Sequence, residues 1–101
     1  MNAILFSTDG TKKNIKVNSF VEARKIVCNY DANGLAEIVR LLDGNLFMID
    51  EEGKFKNYPI NKMATSMAHL NEAIYPHDCL VGDVLLFQDA NEFEELEYGF
   101  E

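Results

Sequence analysis

The sequence predicts an α+β domain in which an antiparallel or mixed sheet of about five strands packs with two helices. Two hairpin patterns, two amphipathic helical patterns with caps, and one further apolar segment support this prediction. The 101 residues suffice for one hydrophobic core but not for two. We therefore expect a single domain over residues 1–88. An acidic amphipathic tail or short helix over residues 89–101 should pack on this domain or extend from it.

The first hairpin is predicted around Asp9-Gly10, because glycine accepts the positive φ that a tight turn needs. A second hairpin is predicted from residues 35–42 and 46–49, joined by a turn at residues 43–45. The apolar runs in both of its strands predict central positions in the sheet. After it, Lys54-Phe55-Lys56 is expected to alternate around one buried aromatic side chain.

The first helix is predicted to begin at Ser19, because Ser19 and Glu22 form the S-x-x-E pattern of a capping box. The helix should end in the segment Asp31-Ala32-Asn33-Gly34, in which Gly34 or Asn33 suits a left-handed cap. Residues with helical spacing are expected to form its buried stripe; they are Ala23, Ile26, Val27 and Tyr30.

The second helix is predicted over residues 62–74, with Asn61 as its N-cap and Pro76 as its stop. Its buried stripe is expected at Met63, Met67, Leu70 and Ile74. The last strand is predicted over residues 80–87. Gly82 within it indicates a bulge or a close backbone approach.

The negative charge of the chain is concentrated in its tail. The chain has 17 acidic and 9 basic side chains, a formal net charge of −8. Six of the acidic residues and none of the basic ones lie in residues 89–101, so residues 1–88 have a balance of only −2. We expect no direct binding to nucleic acid or to anionic membranes, because those surfaces are themselves negative.

Several functional classes find no support in the sequence. Apolar runs reach only four or five residues, and residues 1–6 lack a signal-peptide pattern, so we expect a cytoplasmic location. Cys28 and Cys79 are expected to be reduced thiols, with a disulfide or a catalytic thiol as the alternatives. His69 and His77 lack the partners of a zinc site, and no phosphate-binding or nucleophile motif occurs. We expect no metal, no cofactor and no enzymatic activity.

The loop of residues 54–61 is the first candidate site. It combines cations, amides and an aromatic side chain, and it leads into a helix N-terminus, a place that favours anions. The residues expected to contact a small anionic ligand are Lys54, Lys56, Asn57, Tyr58 and Asn61. The structural alternative is that Asn61 only caps the helix and that the lysines form the outward face of a strand.

The acidic tail is the second candidate site. It would occupy a basic surface of a protein, or imitate a phosphate backbone, through Glu92, Phe93, Glu94, Glu95, Leu96 and Glu97. The alternative is a solvated helix face that keeps the protein soluble. The helical spacing of Phe93, Leu96 and Phe100 indicates that the tail packs against another surface.

Three segments carry a family resemblance: GLAEIVRLLDGNLFMIDEEGK at residues 34–54, YPINKMA at residues 58–64 and LVGDVLLF at residues 80–87. Their Gly-x-x-Glu strand, acidic-Gly-Lys turn, Pro-x-Asn step and late Gly-Asp strand resemble an uncharacterised bacterial and phage family, number 3846 among the domains of unknown function. Residues 65–78 are longer than is usual in that family. The resemblance implies a phage, plasmid or mobile-element context and supplies no established activity or functional residues.

These observations predict a non-enzymatic binding protein of a phage or mobile element that counters host defence. In the first hypothesis, an oligomer sequesters a small anionic, nucleotide-like ligand at the loop of residues 54–61. In the second, the protein is an acidic inhibitor or nucleic-acid mimic whose tail binds a basic surface of a host protein.

Overall fold

The computed structural model describes residues 1–88 and 93–94. Within this part of the chain, five strands form one antiparallel sheet and two helices pack on it, so the predicted α+β class is confirmed. The elements in chain order are β1 (Asn2–Phe6), β2 (Lys12–Lys16), α1 (Phe20–Val27), β3 (Ala36–Arg40), β4 (Leu46–Asp50), α2 (Lys62–Leu70) and β5 (Val84–Phe87).

The strand order is β2-β1-β5-β4-β3, so the last strand lies between the two predicted hairpins. Both hairpins turn at an Asp-Gly pair, and Gly10 and Gly44 each have a φ of 90°. The aspartate of each pair accepts a hydrogen bond at 3.0 Å from the backbone N–H two residues later, which stabilises the turn. Both hairpins formed where the sequence predicted them.

The sheet has three interior strands, β1, β5 and β4, and every residue of β4 and β5 is buried. The prediction of a central position was correct for β4 but wrong for β3, which lies at the edge of the sheet. The apolar residues of β3 face the two cores instead: Val39 is buried on one face of the sheet, and Ile38 packs on the other. The apolar run in β3 therefore reflects the covering of both of its faces, and not pairing with strands along both of its edges.

The two helices cover opposite faces of the sheet. On one face, Ala23 and Val27 of α1 pack with Leu46, Met48 and other residues of the sheet. The other face packs against Ala64 and Ala68 of α2. Because successive residues of a strand point to opposite faces, each apolar run in β4 and β5 supplies both cores at once.

Helix α1 begins as predicted, with the Ser19 hydroxyl accepting a hydrogen bond from the Glu22 backbone N–H at 3.1 Å. It ends earlier than predicted, because Asn29 takes the left-handed conformation with a φ of 53° and the Tyr30 N–H donates to Lys25 O. This closure is the Schellman pattern without glycine. Tyr30 consequently leaves the predicted stripe and is exposed.

Gly34, one of the two predicted cap residues, has a different role. It lies against Cys28, and a Cβ atom at position 34 would be 2.5 Å from the Cys28 Cβ. The absence of a side chain at this position therefore allows the loop after α1 to pack closely on the end of the helix.

Helix α2 begins at the predicted cap Asn61 but ends at Leu70, four residues before the predicted end. Glu72 is left-handed with a φ of 51°, and the Ala73 N–H donates to Ala68 O, again a Schellman closure without glycine. The buried positions are Ala64 and Ala68, while the predicted stripe residue Leu70 is 85% exposed. These two alanines thus form the part of α2 that is buried in the core.

The last strand begins at Val84 and not at residue 80, because residues 80–82 pair with the segment before α2. The Asn61 N–H donates to Leu80 O, and the Gly82 N–H donates to Pro59 O. Gly82 has a φ of 79°, and a Cβ atom there would be 2.6 Å from the Tyr58 ring. The predicted close backbone approach at Gly82 is confirmed.

Two phenylalanines contrast sharply in their burial. Phe55 is 88% exposed in a turn, so the predicted buried aromatic at this position was wrong. Phe93, from the tail, is fully buried, and its ring centroid lies 4.9 Å from Phe87 and 6.2 Å from Phe20. The hydrophobic core on the α1 face is therefore completed by a residue beyond position 88.

We expect Phe93→Ala to lower the free energy of unfolding by about 3–5 kcal/mol, because it removes a fully buried aromatic side chain. Phe55→Ala is the matched control and should change it by less than about 0.5 kcal/mol, because that ring is exposed. Urea titration followed by circular dichroism measures both values. Equal losses in the two variants would contradict the packing of Phe93.

Candidate functional site

The predicted site residue Asn61 is a buried connector. Its side-chain amide donates to Phe6 O at 2.8 Å and to Gly82 O at 2.9 Å. Its side-chain oxygen accepts from the Ala64 N–H at 3.1 Å, which caps α2. Both amide hydrogens are therefore used within the protein, and the residue is fully buried.

Lys56 is held by two carboxylates. Its ammonium nitrogen lies 2.8 Å from Asp50 Oδ2 and 3.0 Å from Asp31 Oδ2. The Asp50 side chain is inaccessible to solvent and also accepts a hydrogen bond from the Glu52 backbone N–H. The hydrogen bond with Asp50, followed by that with Asp31, raises the pKa of Lys56. Lys56 thus joins the end of β4 to the loop after α1.

Asp31 has its own local partner. Its carboxylate accepts a hydrogen bond from the Asn33 backbone N–H at 2.9 Å. This hydrogen bond, followed by the one from Lys56, lowers the pKa of Asp31 below its ordinary value. The carboxylate is therefore held in its charged form, in which it pairs with the lysine.

Lys54 pairs with a different part of the chain, the Asp78 carboxylate. The hydrogen bond between them raises the pKa of Lys54 and lowers that of Asp78. The backbone oxygen of Asp78 lies 2.9 Å from His69 Nε2, from which it accepts a hydrogen bond. The ion pair is more exposed than that of Lys56, with 57% and 34% exposure for the two side chains.

The remaining two predicted ligand residues are Asn57 and Tyr58. Asn57 is exposed and left-handed, with a φ of 58°. Tyr58 is half-buried against Gly82 and Gly53. Burial, and then the Asp50 carboxylate, raises the pKa of the Tyr58 hydroxyl. The Lys56 ammonium lies 5.9 Å from the centroid of this ring.

The five predicted ligand residues are close in sequence, but their functional groups point to different partners. Lys56 is paired with Asp31 after α1, and Lys54 with Asp78 after α2. Asn61 is used inside the core. An anion at this loop would have to displace carboxylates that the lysines already bind.

Of the six predicted tail residues, the structure describes two. Phe93 is buried in the core, and Glu94 is exposed. Glu92, Glu95, Leu96 and Glu97 lie outside the described residues.

The sequence did not predict an open groove of about 900 Å³ between β3 and residues 72–78. Apolar side chains that line it come from Val39, Ile74, Tyr75 and Pro76. A smaller hollow of about 140 Å³ shares Glu37, Val39, Ile74 and Asp78 with it. The combined surface therefore follows one side of the edge strand β3.

Charged and polar side chains also line this groove, namely Glu37, Arg40, His69 and Glu72. Among the residues that the structure describes, neither carboxylate takes part in an ion pair, and neither does Arg40. Tyr75 is 73% exposed and stacks on His77, with ring centroids 5.8 Å apart. The groove thus offers an apolar surface, an exposed aromatic ring and charges of both signs that form no ion pair within residues 1–88 and 93–94.

The chemistry of the other candidate groups is limited. Cys28 is buried, and burial followed by the Asp50 carboxylate raises the pKa of its thiol, which favours the neutral form. In residues 1–88 and 93–94, no group of three His, Cys, Asp or Glu side chains is arranged to hold a metal ion. No helix in the same residues is long and apolar enough to span a membrane.

Comparison of the chain with family models, curated proteins and solved structures found no match. The resemblance to family 3846 therefore stays a prediction.

We expect Lys56→Met to lower the free energy of unfolding more than Lys54→Met does. The first change leaves the solvent-inaccessible Asp50 carboxylate without its cation, whereas Asp78 is partly exposed and water can solvate it. Both variants lose one positive charge and gain the same side chain, so urea titration compares them directly. A larger loss in Lys54→Met would contradict this account of the Asp50 pair.

Proposed function

We propose that this chain is a binding protein without catalytic activity and that it binds a protein partner in the groove between β3 and residues 72–78. The groove supports this proposal because it combines apolar side chains with an exposed tyrosine and charged side chains. Interface centres in proteins are enriched in aromatic residues, and tyrosine is frequent among the residues that dominate binding energy.

The charge of the protein favours a basic partner surface. Glu37 and Glu72 line the groove, and the whole chain has a net charge of −8. Opposite charges on the partner would accelerate association and orient it, while the apolar groove would supply most of the affinity. We therefore propose a partner that presents an apolar side chain beside lysine or arginine.

The setting of this binding is also a proposal. The family resemblance implies a phage or mobile element, and in that context the partner would be a host defence protein in the cytoplasm. The acidic residues of the tail would reinforce attraction to a basic partner. This combines the predicted role of an acidic inhibitor with a docking surface that the sequence did not predict.

Capture of a nucleotide-like anion by the loop of residues 54–61 is the competing proposal. It would require Lys54 and Lys56 to exchange their carboxylate partners for the ligand. We expect isothermal titration with a panel of cyclic and linear nucleotides to give no binding heat with wild-type protein. Saturable binding that Lys56→Met weakens, and that the groove variant Tyr75→Ala leaves unchanged, would favour anion capture instead.

The groove is tested with peptides selected from a random phage-displayed library on the wild-type protein. We expect selected peptides to be rich in lysine, arginine and apolar residues. Tyr75→Ala should weaken the best of them at least about tenfold, or about 1.4 kcal/mol. Tyr30→Ala is the matched control, because Tyr30 is also 73% exposed but does not line the groove.

A second pair of variants tests the charge. Glu37→Gln should weaken the selected peptides and reduce the salt dependence of their affinity, whereas Glu52→Gln, an equal charge change outside the groove, should not. Exchange of Glu92, Glu94, Glu95 and Glu97 for glutamine separates the role of the tail and keeps Phe93. If the selected peptides lose binding only in this last variant, this result would contradict binding in the groove and favour binding through the tail.

A further inference from the structure

The two edges of the sheet differ in how they are protected. The outer strand β2 has three exposed lysines, Lys12, Lys13 and Lys16, which discourage another strand from pairing with it. The other edge strand, β3, has the sequence AEIVR, and exposed leucines flank it at Leu35 and Leu42. The β3 edge therefore lacks the lysine protection of the β2 edge.

The hydrogen-bond pattern identifies which backbone groups of β3 face outward. The Leu41 N–H donates to Asn45 O, and Leu35 O accepts from the Glu51 N–H, so these positions bond toward β4. Antiparallel strands alternate this direction from one residue to the next. The N–H and C=O groups of Ala36, Ile38 and Arg40 therefore point away from β4, and no described strand pairs with them.

We propose that β3 pairs antiparallel with β3 of a second copy of this chain, centred on Ile38. This register pairs all of β3 with all of its counterpart. Ala36 lies opposite Arg40 of the other copy, Glu37 opposite Val39, and Ile38 opposite its own counterpart. No like charges face each other, whereas registers that place Glu37 or Arg40 opposite its own counterpart would be repelled.

This pairing closes into a dimer and does not continue into a fibre. The same surface is used by both copies, and each end of the resulting ten-stranded sheet is a lysine-protected β2 edge. The dimer therefore removes both β3 edges from solvent and creates no new unprotected edge.

The dimer also extends the groove. Directly paired residues of antiparallel strands point to the same face, so α2 of both copies lies on one side of the continuous sheet. The two grooves beside β3 then adjoin across the two-fold axis, where Glu37 of each copy lies beside Val39 of the other. The use of the two adjoining grooves for binding, unlike the dimer itself, rests on the proposed function.

Analytical ultracentrifugation over a range of protein concentrations tests the dimer. We expect twice the chain mass for the wild type at high concentration. Arg40→Pro removes an outward N–H of β3 and should raise the dissociation constant at least about tenfold. Asn14→Pro removes the equivalent outward N–H of β2 and should leave the dimer intact. Arg40→Ala keeps the backbone N–H of β3 and should also leave the dimer intact. A wild type that stays monomeric, or a dimer that Arg40→Pro does not weaken, would overturn the proposal.

Amide hydrogen exchange of the wild type keeps the test decisive if Arg40→Pro does not fold. The amides of Ala36, Ile38 and Arg40 should be protected at high concentration and should exchange faster on dilution, while those of Lys12, Asn14 and Lys16 exchange rapidly throughout. Protection of the β3 amides in a monomer would mean that the chain covers its own edge, and would also overturn the dimer. Selected peptides that still bind such a monomer would leave the proposed function intact.

Discussion

The structure depends on one buried side chain that joins three parts of the chain. Asn61 donates to the last residue of β1 and to Gly82 before β5, and it accepts from the first turn of α2. Without the asparagine, the buried Ala64 N–H would lose its partner, and a buried donor left unpaired costs about 1–3 kcal/mol. The asparagine therefore sets where α2 begins relative to the sheet, and with it the position of residues 72–78 beside β3.

The charged side chains of the neighbouring turn serve the same architecture. Lys56 fixes the turn after β4 to the loop after α1, and Lys54 fixes it to the segment after α2. The carboxylates in these pairs neutralise the positive charge of the two lysines, which would otherwise attract an anion. The surface that remains open to a partner is instead the groove, whose lining charges have no partner among the described residues.

Local signals in the sequence were enough to predict most elements. Asp-Gly turns, the Ser19 cap and the Asn61 cap act over a few residues, and all of them are confirmed. The predicted ends of both helices were wrong, because Asn29 and Glu72 take the left-handed cap position before the predicted stops at residues 31–34 and at Pro76. The edge position of β3 depends on pairing between distant strands, so neither it nor the groove beside it could be predicted from local patterns.

The placement of β5 has a consequence for the order in which the fold assembles. Each hairpin closes over a short turn, so both can form early and independently. They join only when β5 inserts between them, and its contacts with β1 span nearly the whole domain in sequence. Such distant contacts are slow to form because long loops must close first. Insertion of β5 should therefore determine the folding rate.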